Sequence, residues 1–475
     1  MTKNKKKSKI SFMKYLSIFL MIVSVLCLLL VYFINILPLE YFIVLVVLVL
    51  LLDLFAVMLL LSKGRVKNAF GIFFSIILLI IMIFGITYEL NTLDFLKQFG
   101  FNSYKTESYN VIVLESSGLD TLEDLDDSSI GHIDVKNRRG LDEFINKIKN
   151  IINFTPVIGD DISSLANMLE DEEVEGIILE DAELAILEEE DPEFSNSIRV
   201  VYNTNVEVEI ADVGESVDVE NDSFNVLISG IDTYGSVTKV SRSDVNILVS
   251  VNPTTHDILL TSIPRDYYVL LPQFGEYDKL THAGIYGIET SIGAVEELLD
   301  TKINYYVKVN FTSLIDIVDA LGGITIESNY DFISQDGYHF VKGSNTLDGK
   351  KALSFARERK AFAEGDRTRG QNQEIILEAL IKKAMSSNII TNYGDLLNAL
   401  KDKFITNITD EEITDLIKKQ LEEMASWDIT SISLDGTNAF DYTYSYKNQK
   451  LYVMRADEES VLSAKNQIND ILTRK

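Results

Sequence analysis

Three long apolar stretches open the chain, about Ile10–Leu37, Tyr41–Leu61 and Ala69–Tyr88, and no other feature restricts the fold as strongly. Each approaches or exceeds the ~20 apolar residues that a helix needs to cross a bilayer. Backbone groups in hydrocarbon must satisfy one another, so a helix is the form expected of each segment. The first stretch has the apolar core of a signal peptide. It lacks an obvious small-residue cleavage site, and two more spans follow at once, so it is read as retained. The first fourteen residues carry Lys3, Lys5, Lys6, Lys7, Lys9 and Lys14, and Lys63, Arg65 and Lys67 separate the second span from the third. Basic residues stay on the cytoplasmic side. The expectation is a multi-pass protein of the cell membrane, with a cytoplasmic N-terminus and everything after about residue 90 outside.

The 475 residues, 47% of them hydrophobic, suffice for three domains with real cores. Acidic residues outnumber basic ones 72 to 43, a formal net charge of −29, which excludes nucleic acid as a partner, because a duplex needs a basic face. The single cysteine, Cys27, lies inside the first span. A disulfide framework, a CxxC metal site and an external cysteine nucleophile are thereby excluded within one chain.

Beyond the membrane segment (residues 1–90), residues 105–215 read as a small α/β accessory domain. Strands are expected at Val111–Leu114 and 175–181, with helices at Asp142–Ile151 and Ser163–Glu170. Its stretches TLEDL, IGHI and LANMLEDEEVEGIILED loosely resemble a lobe of periplasmic solute-binding proteins. His132 is a lone histidine beside a strand and is read as structural, and the carboxylates at 170–193 as a solvated face. An accessory or docking role is the default.

From Asp222 strands and helices alternate, which favours an α/β domain with a central sheet covered by helices. Strands are expected at Asn225–Gly230, Val245–Val251, Ile258–Ile263, Asn304–Val309 and Gly323–Glu327. Helices are expected at Glu289–Leu299, Phe311–Leu321, Lys350–Arg359 and Arg367–Ser386. The domain is bounded at 222–388. Residues 389–475 form an extension packed on it, with helices near Tyr393–Lys403, Thr409–Met424 and Glu458–Leu472.

Six of the twelve arginines fall in two patches of this domain: Arg242 and Arg265 in the first, Arg357, Arg359, Arg367 and Arg369 in the second. Arginine grips phosphate through planar, bidentate hydrogen bonds. Asp232 ends the first strand and Asp244 opens the second, so the two carboxylates meet if those strands are adjacent and antiparallel. Such a pair suits a hard divalent ion, which takes one or two carboxylates together with water and phosphate oxygens. Arg369 and Gln373 lie four apart on one helix face. Individually, Arg242–Asp244 and Arg265–Asp266 have the look of surface ion pairs worth little; the convergence of six arginines is what points to an anionic ligand. No GxSxG elbow, HExxH or phosphate-binding P-loop occurs, and phosphoryl transfer needs no protein nucleophile.

The stretches NVLISGID, SRSDVNILVSVNP, ILLTSIPRDYYV, DKLTHAGIYG, INYYVKVNFTSLIDIVDALGGI and LSFARERKAFAEGDRTRGQNQ together resemble the LytR-CpsA-Psr family over roughly Asp222–Ser387. The three spans and the inserted domain are most similar to its capsule-associated CpsA type. The resemblance implies an α/β/α sandwich that holds a polyprenyl (pyro)phosphate in an apolar tunnel. It also implies an enzyme that moves a glycopolymer, capsular or teichoic-acid-like, from a polyprenyl pyrophosphate carrier to peptidoglycan. By motif, Asp232 and Asp244 would hold Mg2+ or Mn2+. Arg242, Arg265, Arg357, Arg359, Arg369 and Gln373 would bind the pyrophosphate. Arg265, Asp244 and Asp366 would act in the transfer, Asp244 or Asp366 as proton acceptor. Arg367 matches no position of the pattern, and Lys279-Leu280-Thr281-His282-Ala283 departs from the family's middle motif. Capsule-assembly proteins would be further partners. The alternative is a non-catalytic sensor of lipid-linked polymer that regulates capsule assembly.

Overall fold

The computed structural model describes residues 2–62, 64–98, 104–133, 139–210, 213–363, 365–385 and 403–475. The expected helix Tyr393–Lys403 lies outside them almost entirely, as does the side chain of Asp366.

Two compact units divide the chain. In the first, helices α1 (Thr2–Ile34), α2 (Leu39–Leu60) and α3 (Arg65–Gln98) include three stretches long and apolar enough to cross a membrane. Their outward residues, such as Ile43, Leu51, Ile81 and Phe84, are apolar and exposed, as lipid demands. Leu20, Cys27, Ala56 and Leu78 pack in the interior. Two pairs of polar groups within these helices face one another: Ser24 Oγ donates to Asp53 at 3.1 Å and Cys27 Sγ to Glu89 at 3.2 Å. An unpaired polar atom in hydrocarbon would be costly, which accounts for the pairing.

Among its described residues, the second unit holds a five-stranded and a six-stranded sheet, with four two-stranded ones besides. The five-stranded sheet comes from β1 (Tyr104–Leu114), β2 (Ser128–Ile133), β3 (Phe154–Gly159), β4 (Gly176–Glu180) and β5 (Ile198–Glu209), in the order β3-β2-β4-β1-β5. Alternation along β1 sends Tyr109, Val111 and Val113 to one core with α4 (Arg139–Lys149), while Ile112 enters another with α5 (Ile162–Glu170) and α6 (Asp181–Glu190). The short helix α7 (Pro192–Ser195) leads into β5.

The larger sheet is built on β6 (Phe224–Ile231), β7 (Ser243–Asn252), β8 (Asp257–Ser262) and β11 (Tyr305–Asn310). The hairpin β9 (Tyr268–Leu271) and β10 (Glu276–Lys279), the short α8 (Leu280–Ala283) and helix α9 (Ile288–Leu299) lie between β8 and β11 in the chain. Period-two alternation serves both faces of the sheet. Leu227, Leu248 and Leu259 enter the core shared with α9 and the last helix. On the opposite face Ile228, Ile247 and Val309 line a cavity under α10 (Phe311–Ala320), α11 (Gly349–Arg357) and α12 (Gly365–Ala384). Helices on both faces make an α/β/α sandwich. The strand expected at 323–327 is β12 (Ile324–Ser328), which pairs with β15 (Gly343–Leu347) outside the main sheet; β13 (Phe332–Ile333) and β14 (His339–Phe340) form a hairpin between them.

The C-terminal segment corrects the expected domain boundary. β16 (Phe404–Thr406) pairs antiparallel with β11, and β17 (Asp428–Ser433) pairs parallel with β8, so the six-stranded order is β16-β11-β6-β7-β8-β17. Both sheet edges therefore come from beyond residue 388. Pairing across such sequence separations leaves no local trace, which is why the alternating pattern alone stops short of it. Between these strands in the chain, α13 (Asp410–Glu423), which belongs to the first unit, begins with a capping box in which Thr409 and Glu412 satisfy each other's backbone amides. The hairpin β18 (Gly436–Asp441) and β19 (Leu451–Ala456) follows β17, and α14 (Glu458–Thr473) ends the chain with Ala464 and Ile468 in the main core.

Ile468 is 1% exposed in that core, so Ile468→Ala should cost about 2–5 kcal/mol of stability. Truncation after residue 388, which removes both edge strands, should leave a protease-sensitive product. A truncated chain as resistant to limited proteolysis as the intact one would refute the edge-strand account.

Candidate active site

The site begins with a fault in strand pairing. β6 and β7 run antiparallel, with Gly230 opposite Val245 and Ile231 opposite Ser243. The register skips Asp244, which is the extra residue of a β-bulge. Bulges re-aim side chains beside functional sites. Gly230 permits the close approach, since a methyl there would lie 2.7 Å from Val245 Cβ. Asp232, just past the end of β6, and Asp244 line the mouth of the same cavity.

Asp244 is closely partnered. Arg265, just after β8 and its Pro264, places Nη1 3.1 Å from each Asp244 carboxylate oxygen, and Thr281 Oγ1 donates to Oδ1 at 2.9 Å. Burial pushes the Asp244 carboxyl upward, but the guanidinium charges of Arg265, Arg242 and Arg369 and the Thr281 hydrogen bond outweigh it and hold the group below the usual carboxylate range. Asp232 is shifted the other way. Burial raises it, the Asp244 charge adds to that, and Arg357, Arg369 and Arg265 counter only in part. Arg357, at the end of α11, lies 3.8 Å from Asp232 and stacks over the Phe311 ring at 4.2 Å, a cation–π contact that fixes the guanidinium plane.

The cavity behind this mouth encloses about 820 Å3, its open end included, and its walls are almost wholly apolar: Ile228, Ile247, Val309, Leu314, Ile376 and Leu380. Arg369 and Gln373 stand one turn apart on α12 and line this cavity together with Arg357. Asn372 and Gln373 donate to the Phe355 and Ala356 carbonyls at 3.2 and 3.4 Å, tying α12 to the end of α11. A second, more polar cavity adjoins the first and shares Asp244, Arg369 and Gln373 with it. Its wall adds Arg265, Asp266, Asp435 and Arg367, the last paired with Asp435 at 3.0 Å. An apolar chamber and a polar one thus meet at a ring of arginines and carboxylates, a form suited to an amphiphile with an anionic joint.

Two expectations change. Arg359 is exposed and lines neither cavity among the described residues. The inward residue at that end of α11 is Glu358, 2% exposed, which accepts from the amides of Gln335 and Ala361 at 2.7 and 2.9 Å. The alternation of arginine and glutamate in ARER carries no sign of which residue turns inward. The acidic run 170–193 is not simply a solvated face. Glu180 and Glu183 are buried, Glu189 contacts Arg242 and lies 3.8 Å from Arg265, and Glu190 is 3.0 Å from Lys279. His282 also has partners: its Nδ1 is 2.7 Å from Asp278 Oδ1 and 2.8 Å from Ser445 Oγ, in a fully buried structural cluster.

Sequence reasoning passed over Glu374, next to Gln373. It is 5% exposed and accepts from Ser433 Oγ at 3.0 Å, and burial pushes its carboxyl up to about 8. The proton is favoured in the folded state, so Glu374 adds stability below its unfolded pKa that is lost as pH rises towards 8. The loss is on the order of 5 kcal/mol over that window. Glu374→Gln should flatten this part of the pH–stability curve and be more stable than wild type above pH 8; identical slopes in thermal unfolding from pH 5 to 9 would refute it.

The LytR_cpsA_psr family model matches residues 195–469. The polyisoprenyl-teichoic acid–peptidoglycan teichoic acid transferase TagU of Bacillus cereus is 35% identical over 237 residues, which are 50% of this chain and 77% of the relative. TagU of Bacillus licheniformis is 33% identical over 261 residues, 54% of this chain and 81% of the relative. Among solved structures, B. subtilis TagU shares 33% identity, covering 54% of this chain and 99% of that one at a TM-score of 0.42. TagT bound to LI-WTA shares 31%, covering 54% and 94% at a TM-score of 0.45. The match to the family model takes in more than half of the sequence, both sheet-edge strands and every arginine of the two patches, and the chain belongs to the LytR-CpsA-Psr family.

Proposed function

We propose that this chain is a membrane-anchored transferase that moves a glycopolymer from a polyprenyl pyrophosphate carrier to peptidoglycan. The observation that carries this reading is the meeting of the apolar and polar cavities at Asp244, Arg369 and Gln373. A polyprenyl chain suits the apolar cavity, the polymer suits the polar one, and the pyrophosphate would lie between them against the arginines. The relatives named as teichoic acid transferases support a polyisoprenyl-linked donor and a peptidoglycan acceptor. The polymer is then capsular or teichoic-acid-like. The lysine-rich N-terminus and the basic loop between the second and third helices support a cytoplasmic N-terminus, with the sheets on the outer face.

In this mechanism a peptidoglycan hydroxyl attacks the phosphorus nearest the polymer. A new P–O bond forms to the acceptor, the bridging P–O bond breaks, and polyprenyl phosphate leaves with the bond's electrons. Arg265, Arg369 and Arg357 stabilise charge growing on the phosphoryl and leaving oxygens, the largest contribution a preorganised site makes. The hydroxyl proton goes to a carboxylate. Asp244 is held below the usual range and is a weak base, which favours Asp366 for that role and charge pairing for Asp244.

Asp232 and Asp244 fit a divalent cation, Mg2+ or Mn2+. They share the cavity mouth, and burial, with repulsion from Asp244 second to it, raises Asp232; a cation would offset both. Two carboxylates are as many as such an ion commonly takes from protein when phosphate and water complete its shell. When bound, it would neutralise phosphoryl charge.

The test uses the full chain with a lipid-pyrophosphate-linked oligosaccharide, peptidoglycan fragments and Mg2+, followed by release of polyprenyl phosphate and covalent sugar transfer. Arg265→Ala and Asp244→Ala should each reduce transfer by about 100-fold or more. Ile247→Trp, which fills the apolar cavity, should weaken donor binding while leaving the arginine ring intact. Wild-type rates in Arg265→Ala would refute the assignment. Tight donor binding without turnover under any metal would favour the sensor reading.

A further inference from the structure

Helix α6 ends in Glu188-Glu189-Glu190, with no basic residue in its last turn. Three carboxylates at the negative end of a helix oppose both the helix dipole and one another. Their counter-charges come from the other sheet of the same unit. Glu189 contacts Arg242 and reaches Arg265 at 3.8 Å, and Glu190 lies 3.0 Å from Lys279. The small domain does not touch the large one by charge alone. Val240, Ile285, Tyr446 and Leu451 enter its core, and the amides of Lys447 and Asn448 donate to Asp161 and Ser163 at 2.6 and 3.0 Å. The glutamate is therefore held against the two arginines by a packed interface.

Arg265 pairs with Asp244 on one side and meets Glu189 on the other. Arg242 is drawn towards Asp244 as well as Glu189. Glu189 and Arg242 line neither cavity, and Glu189 meets the site through Arg265, which lines the second one. We propose that Glu189 is an internal stand-in for the second phosphate of the donor, so that a pyrophosphate displaces it while a monophosphate does not. This rests on the pyrophosphate reading above. With its tail in the apolar cavity, a monophosphate reaches Arg357 and Arg369 at the mouth. Only a second phosphate extends towards Arg265 and the polar cavity. Glu189 returns to Arg242 and Arg265 once the bridging bond is broken, which favours release of the lipid monophosphate over retention of the donor. The small domain thereby contributes a specificity residue to a site built on the other sheet.

The experiment measures binding of geranylgeranyl pyrophosphate and geranylgeranyl phosphate to the full chain in detergent, at low and high salt. Wild type is compared with Glu189→Gln and with Glu193→Gln, which removes the same charge from the exposed face of α7. For Glu189→Gln the expected result is a pyrophosphate affinity about two- to tenfold tighter, most marked at low salt, with the monophosphate little changed. Glu193→Gln should change neither. Unchanged or weaker pyrophosphate binding in Glu189→Gln, or an equal gain for both lipids, overturns the proposal while wild-type binding keeps the pyrophosphate reading intact. Failure of every protein to bind the pyrophosphate lipid overturns both.

Discussion

The active end of this molecule depends on one carboxylate held among guanidinium groups. Asp244 has a side chain only 11% exposed, and a charge so placed is tolerated only when neighbouring charges and hydrogen bonds compensate it. Arg265 supplies two contacts and Thr281 a third, and each partner comes from a different stretch of chain. The bulge in β7, the proline-ended β8 and the segment after β10 converge because the sheet positions all three. The site is a product of sheet register, and a slip of one residue would turn Asp244 to the other face.

That dependence explains which parts were legible in the sequence. The three membrane helices follow from length and apolarity. The strands β6, β7, β8 and β11 follow from short apolar runs bounded by turns, and the adjacency of Asp232 and Asp244 follows once β6 and β7 are antiparallel. Arg369 and Gln373 are found together because helical spacing alone puts them on one face. The edge strands β16 and β17 were not legible as such. Their partners lie about a hundred or more residues away in sequence, and strand pairing at that distance has no periodic signature. Nor was the direction of Arg359 or the burial of Glu358, because these turn on how the chain leaves α11, where the helical period stops. Glu374 was hidden by its charge: a carboxyl at helical spacing from Arg367 reads as solvated until the packing of Ser433 against it is known.

The accessory domain shows the same limit from the opposite side. A run of carboxylates reads as solvated because isolated charge favours water. Glu189 and Glu190 depart from that rule because their counter-charges lie on another sheet. The anomaly was nonetheless present locally, in a helix whose C-terminal turn carries three acids and no base. Conflicts between a local preference and the observed fold tend to mark function.

Net charge bears on how such a site meets its ligand. A chain of charge −29 repels anionic polymers at long range, and electrostatic steering from bulk solution would work against it. Screening confines that repulsion to about 8–10 Å at physiological ionic strength. Within that distance the arginines around Asp244 dominate the local field. On the function proposed here, a lipid-linked donor would share a bilayer with α1, α2 and α3 and would arrive by lateral diffusion in two dimensions, so long-range attraction would be dispensable. The gathering of Arg265, Arg357, Arg367 and Arg369 around the two cavities of an otherwise acidic protein is then a coherent arrangement: on the proposed function, capture would rely on shared membrane residence, and recognition on short-range guanidinium contacts at the joint between the two cavities.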